Sequence, residues 1–124
     1  MPDTNDDAQV LQRVLDTWRE GVNSGDPLRV SEVFTDDAIF QGLKPYSVGQ
    51  EGVFDYYAGL PDGMTVEFEI KEVRRPADSV LLGYVRADFN HPDGRVVSLN
   101  QGILVTLGES GGRIAYYHVS AVPE

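Results

Sequence analysis

The chain contains no cysteine, which excludes disulfides, thiolate-bound zinc and thiol nucleophiles. It has no apolar run approaching the roughly 18 residues that a membrane-spanning helix requires. Positive charge is scarce: 10 Lys and Arg stand against 20 Asp and Glu, for a formal charge of −10. That balance repels nucleic acid and anionic lipid, so neither is expected as a partner, although it would serve solubility equally well. The two histidines, His91 and His118, lack the paired spacing of a metal site, and neither a metal nor a cofactor is expected. The acidic, polar start from Met1 to Asp7 is unlike a signal peptide, which points to a cytoplasmic protein.

What is present is an ordinary globular composition. At 124 residues and 41% apolar content the chain reads as one domain, residues 1–124, with 1–6 as a polar leader. Val10, Leu11, Val14, Leu15, Trp18 and Val22 recur at helical spacing and predict an amphipathic first helix. Thr4 with Asp7 is a capping pair for its start, and Gly21, Asn23 and Gly25 end it. Asp26-Pro27 then restarts a helix, with Asp as N-cap and Pro at the first helical position. Thr35-Asp36-Asp37 reads as a turn, Ala38-Ile39-Phe40 as a short strand and residues 41–48 as loop. A third helix is expected from about Gly49 to Gly59–Pro61.

From Met64 the period changes to two, as Val66, Phe68 and Ile70 alternate with charged residues. Arg74 to Asp78 is read as a turn. Long strands over 80–90 and 95–107 are joined by a tight turn containing Asp93-Gly94, and a second tight connection at 108–112 leads into a strand over 113–120. Helices followed by an antiparallel meander define an α+β domain. Gly108-Glu109-Ser110-Gly111-Gly112 matches G-x-S-x-G in letters only, because a nucleophile elbow needs a strand, a turn and a helix.

Four segments carry a family resemblance: W-R-E-G-V-N-S-G-D (18–26), V-F-T-D-D-A-I-F (33–40), V-G-Q-E-G-V-F-D-Y-Y (48–57) and G-G-R-I-A-Y-Y-H-V-S-A-V-P-E (111–124). The chain resembles the nuclear-transport-factor-2-like superfamily, which includes SnoaL-type polyketide cyclases, ketosteroid isomerase and limonene epoxide hydrolase. The last segment is most similar to the SgcJ/EcaC-type subgroup. The resemblance implies a cone-shaped fold of three N-terminal helices packed on a curved, mainly antiparallel sheet. It does not imply one activity, because such folds host many.

A two-residue turn at Asp93-Gly94 or Pro92-Asp93 would set even positions of 80–90 opposite odd positions of 95–107. Leu82, Tyr84, Arg86 and Asp88 would then share the cavity face with Val97, Leu99, Gln101, Ile103 and Val105. Leu81, Val85, Ala87 and Phe89 would share the other face with Ser98, Asn100, Gly102 and Leu104. A few polar groups in an apolar cavity are the usual make-up of a ligand site.

Arg86 and Asp88 are therefore the catalytic candidates, with Trp18, Tyr56, Tyr84, Leu99, Gln101, Tyr117 and His118 as ligand-binding candidates. Tyr117 and His118 alternate in the last strand, so if Tyr117 faces the cavity His118 faces away. Arg86-Ala87-Asp88 resembles the Arg-x-Asp of limonene epoxide hydrolases, but Val119 stands where the second carboxylate would be. Against ketosteroid isomerase, Trp18 replaces the oxyanion-hole Tyr, Gly42 the general-base Asp and Gln101 the protonated Asp donor.

The leading expectation is a binding protein, or a cofactor-free cyclase or isomerase, for a hydrophobic polyketide-like metabolite of natural-product metabolism. In the enzymatic case Asp88 would remove a proton beside a carbonyl, Arg86 would position it, and Gln101 or Tyr84 would stabilise the enolate. Two alternatives are epoxide-hydrolase-like chemistry and an oligomerisation domain like the association module of calmodulin-dependent kinases. A cone filled by Trp18, Tyr56 and Tyr84 would favour assembly, and an open one holding Arg86 and Asp88 a ligand. A homodimer is expected through the outer sheet face, with Leu81, Val85, Phe89 and Leu104 as its apolar contacts.

Overall fold

The computed structural model describes residues 4–108 and 111–122. Helix α1 (Thr4–Asn23) buries Leu11, Val14, Leu15, Trp18 and Val22 along one stripe. Helix α2 (Pro27–Glu32) starts where Asp26 accepts a hydrogen bond from the Arg29 backbone N–H, with Pro27 at its first position. Helix α3 (Gln50–Ala58) turns Val53 and Tyr57 inward and stops at Gly59. These helices cover one face of a six-stranded sheet.

The strands are β1 (Phe34–Gln41), β2 (Ser47–Val48), β3 (Thr65–Ala77), β4 (Val80–Asn90), β5 (Val96–Gly108) and β6 (Gly111–Ala121). Their spatial order is β2-β1-β6-β5-β4-β3. Only β1 and β6 run parallel; the other pairs are antiparallel. The result is the expected α+β arrangement of helices on a curved, mainly antiparallel sheet.

Several local readings change. Thr35 to Asp37 lie inside β1 rather than in a turn, in the stretch where its ladder with β6 is irregular. Residues 47–48 of the expected loop pair with β1 as the short edge strand β2. The turn expected at 74–78 is displaced, because β3 runs on to Ala77, which pairs with Val80. Arg75 is occupied otherwise: its guanidinium donates to Asp7 Oδ1 at 2.6 and 3.1 Å, tying α1 to β3. Gly108 pairs with Gly111 between two strands, and residues 109–110 of the G-x-S-x-G match lie outside the described residues.

The consequential correction is the register of β4 with β5. Asn90 pairs with Val96, Asp88 with Ser98, Arg86 with Asn100 and Tyr84 with Gly102, so even positions oppose even positions. The connecting loop has three residues, not two. Gly94 N–H donates to His91 C=O at 3.0 Å, His91 N–H to Arg95 C=O at 2.8 Å, and Gly94 has φ +91°. This is a turn closed by a left-handed glycine, and its extra residue flips β5 relative to the two-residue alternative.

Leu81, Val85, Ala87 and Phe89 therefore face the helices with Leu99, Gln101, Ile103 and Val105. Leu81, Val85 and Phe89 are core residues and cannot be dimer contacts, whereas Leu104 remains on the outer face. Tyr84, Arg86 and Asp88 lie on that outer face too, outside the cone.

Because only the left-handed region satisfies this loop, Gly94→Ala should cost about 1–2 kcal/mol. Urea unfolding should show a lower midpoint with an unchanged m-value; an unchanged midpoint would mean that the turn does not set the register.

Candidate functional site

The interior of the cone is built largely from aromatic side chains on α1, α3, β1, β3, β4 and β6. Trp18 of α1 is fully buried and meets Phe68, Phe89 and Tyr117, with ring centroids 6.1–6.4 Å apart. Tyr117 of β6 stacks on Phe40 of β1 at 4.8 Å and 13°. Tyr57 and Tyr56 of α3 close the group from the other side.

Polar atoms inside this cluster are linked to one another. Trp18 Nε1–H donates to the Tyr57 hydroxyl at 3.0 Å, and Gln101 Nε2–H donates to the Tyr117 hydroxyl at 2.7 Å. The Tyr57 and Tyr117 hydroxyls adjoin closely enough to shift each other's titration. Burial pushes both phenols above their ordinary value, and the neighbouring hydroxyl adds to the rise at Tyr57. Gln101 is fully buried, and its Oε1 has no hydrogen-bond partner among the described residues. A buried amide left half-paired costs free energy unless something else completes it.

Beside this network lies a cavity of about 70 Å³, lined by Gly42, Leu43, Tyr56, Tyr57, Leu60, Met64, Phe89, His91, Val97, Leu99, Tyr117 and Val119. None of these residues is Lys, Arg, Asp or Glu. A larger cleft of about 430 Å³ lies outside it, between the α1–α2 turn and the α3–β3 loop. Tyr57, Leu60 and Met64 line both spaces and separate them. In the cleft, Asn23 is committed to both backbone groups of Val66, and Ser24 to the Glu20 carbonyl.

Gly42 has a steric reason to be glycine. A Cβ there would lie 2.6 Å from the Tyr56 ring, whose hydroxyl accepts from the Leu43 backbone N–H at 3.2 Å. The Tyr56 ring thus fills the space where the resemblance implies a general base.

The sequence candidates divide into two groups. Trp18, Tyr56, Leu99, Gln101 and Tyr117 come together in or beside the cone. Tyr84, Arg86, Asp88 and His118 are on the opposite face of the sheet. Arg86 Nε is 3.4 Å from Asp88 Oδ1, and Asp88 accepts from Ser98 Oγ at 2.6 Å. His118 Nδ1 is 3.0 Å from the Tyr116 hydroxyl. Acid–base work by Arg86 and Asp88 inside the cone is therefore ruled out by register. Tyr57 and Met64 were missed; Tyr57 was detectable, because it follows Val53 by four positions on α3.

This architecture, helices packed on a curved, mainly antiparallel sheet, is shared by solved structures over almost the whole chain. A domain of unknown function with a cystatin-like fold from Nostoc punctiforme aligns at TM-score 0.85 and 16% identity, covering 98% of this chain and 81% of that one. A ketosteroid isomerase-like protein from Erwinia carotovora atroseptica aligns at 0.79 and 19%, covering 97% and 99%. A candidate calcium/calmodulin-dependent protein kinase II association domain from Xanthomonas campestris aligns at 0.81 and 18%, covering 94% and 89%. Identities this low carry the fold and no activity. No protein-family model and no curated protein sequence matches the chain.

The two buried tyrosines predict an alkaline limit on stability. Below pH about 10, both folded and unfolded chains keep these protons, and stability is fully present. Above it the unfolded chain releases them while the folded chain holds them. Stability should then fall by about 1.4 kcal/mol per pH unit for each tyrosine. Tyr117→Phe should make that fall shallower by one proton in urea unfolding across the alkaline range. An unchanged slope would show that Tyr117 ionises normally in the folded protein.

Proposed function

We propose that the chain binds a compact, neutral, largely apolar small molecule at the mouth of its cone. The observation that carries this reading is an apolar cavity placed beside a buried hydroxyl–amide network with one acceptor, Gln101 Oε1, left unpaired. Apolar walls with a few convergent polar groups are the usual form of a small-molecule site. The absence of cationic lining and the raised tyrosine pKa values disfavour an anion. The network members in the wall are Tyr57 and Tyr117, whose neutral phenols suit a hydroxyl or amide.

Size constrains the ligand. A cavity that holds one benzene ring measures about 150 Å³, so 70 Å³ requires some wall to move. Displacing Leu60 and Met64 would join the cavity to the outer cleft and bring the space within the roughly 300–1,000 Å³ of ordinary ligand pockets. A fused polycyclic polyketide, the larger ligand the resemblance suggests, needs that full opening. A single-ring alcohol or phenol needs much less.

Thermal unfolding with p-cresol, benzoate and an anthraquinone would test the site. The phenol should raise Tm, and at a concentration 100 times its Kd the gain is about 2.7 kcal/mol. Benzoate should not raise it, and Leu99→Trp, which fills the cavity, should abolish the phenol effect. Stabilisation by the anthraquinone alone would favour the polyketide reading, and no shift with any probe would remove the ligand reading.

A second reading, assembly without catalysis, is favoured by the extent to which Trp18, Tyr56, Tyr57 and Tyr117 fill the cone. The two readings are compatible, since they use opposite faces of one sheet.

A further inference from the structure

The cavity at the mouth of the cone has one wall residue that neither the fold nor the ligand reading has used. His91 is half-buried and lines that cavity. Its backbone is committed to the β4–β5 turn: the N–H donates to Arg95 C=O at 2.8 Å, and the C=O accepts from Gly94 N–H at 3.0 Å. No hydrogen bond engages its ring among the described residues, in contrast to His118, whose Nδ1 meets the Tyr116 hydroxyl. The other polar side chains of the wall are engaged already. Tyr56 Oη accepts from Leu43 N–H, Tyr57 Oη from Trp18 and Tyr117 Oη from Gln101. A free ring on so fixed a backbone is pre-organised, which lowers the cost of pairing it with a ligand.

His91 also stands at the entrance. The next residue, Pro92, abuts the α3–β3 loop, where a Cβ on Gly63 would lie 3.0 Å from Pro92 Cγ. Leu60 and Met64 at the two ends of that loop form the wall that must yield to a ligand, so a ligand entering there passes His91.

The two ends of the cavity therefore carry different polar groups. At the inner end Tyr57 and Tyr117 each accept one hydrogen bond and each keep a phenolic proton. One proton can go to the neighbouring hydroxyl, which leaves the other to donate into the cavity that both line. At the outer end an imidazole nitrogen donates or accepts, and a hydroxyl pairs with it in either role. Between them lie Leu99, Val97, Phe89 and Val119. From Gln101, which holds Tyr117, to Val96, which pairs with Asn90 next to His91, β5 rises about 16 Å. Both side chains reach into that interval, so a ligand touching both is elongated, with a polar atom at each end.

We propose that His91 sets the specificity of the cone by hydrogen-bonding a ligand hydroxyl at the mouth, while the tyrosine pair donates to an acceptor oxygen at the far end. The proposal rests on the ligand reading above and narrows it to phenols that carry an acceptor oxygen in the para position.

Calorimetric titration with 4-hydroxyacetophenone, 4-methylacetophenone and 4-ethylphenol tests both ends, because each of the last two lacks one polar group and keeps the shape. Wild type should bind 4-hydroxyacetophenone about tenfold more tightly than either, the effect of one added hydrogen bond. His91→Phe should bring the ratio to 4-methylacetophenone near one, with the ratio to 4-ethylphenol and the affinity for 4-methylacetophenone unchanged. His91→Gln, which keeps a hydrogen-bonding group, should retain most of the first ratio. A hydroxyl preference that survives His91→Phe would overturn the proposal and leave cavity binding standing. Equal wild-type affinity for 4-hydroxyacetophenone and 4-ethylphenol would do the same. A loss of affinity for all three probes alike in His91→Phe would make His91 structural and also overturn it. If none of the three binds wild type, the ligand reading itself falls.

Discussion

The register that the Pro92–Gly94 loop imposes on β4 and β5 is the constraint from which the remaining assignments follow. With three loop residues, Val85 and Phe89 join Gln101 and Ile103 against the helices, and Arg86 and Asp88 turn away. A slip of one residue between the strands would set one strand's apolar face against the other's polar face. If β4 were the strand turned over, Arg86 and Asp88 would enter a cone that holds no other charged side chain beside its cavity. Burying such charges costs several kcal/mol each, while every large aliphatic returned to water forfeits about 1.5–3 kcal/mol. Local turn chemistry and the core thus demand the same pairing, a mutual support expected of sequences that specify one fold.

Given that register, the cone contains aromatic bulk and a short polar chain. Trp18 donates to Tyr57 and Gln101 to Tyr117, so these four meet part of one another's hydrogen-bonding capacity without placing an ion in the core. Neutral groups that find a partner can be buried at modest cost, and Gln101 Oε1 is the atom here that does not. The same side chains that stabilise the domain by filling the cone also consume the volume available to a ligand. Stability and binding therefore compete for one space. The wall shared by the inner cavity and the outer cleft is where that competition can be resolved, since Leu60 and Met64 lie in or next to a loop rather than in the sheet.

The helices were legible because their signals are local. The α1 stripe, the Asp26-Pro27 start of α2 and the Gly59–Pro61 stop of α3 each lie within a few residues of what they determine. The sheet's membership was legible from its period of two, but the faces of β4 and β5 were not. Asp93-Gly94 is compatible with both two- and three-residue loops, and that single ambiguity placed Arg86, Asp88 and Tyr84 inside the cone. The β6 face was open in the sequence: alternation tied Tyr117 and Val119 together and opposed them to His118 without saying which set turns inward, and in the structure Tyr117 and Val119 do. Gly42 could be noticed in the sequence but not explained, since its reason is a ring 14 positions later on α3.

The edges of the sheet bear on how copies of this chain can meet. A sheet edge with free backbone groups invites pairing with another chain, and both edges here are blunted. At one end β2 has two residues, too few to template a partner strand. At the other, β3 is 13 residues long but carries Glu67, Glu69, Lys71, Glu72 and Arg74, with Pro76 near its end. Its ladder is broken between Ile70 and Glu72 and again between Arg74 and Ala77. Charges, proline and bulges are the devices by which natural sheets avoid edge-to-edge growth. Edge pairing is thus disfavoured at both ends.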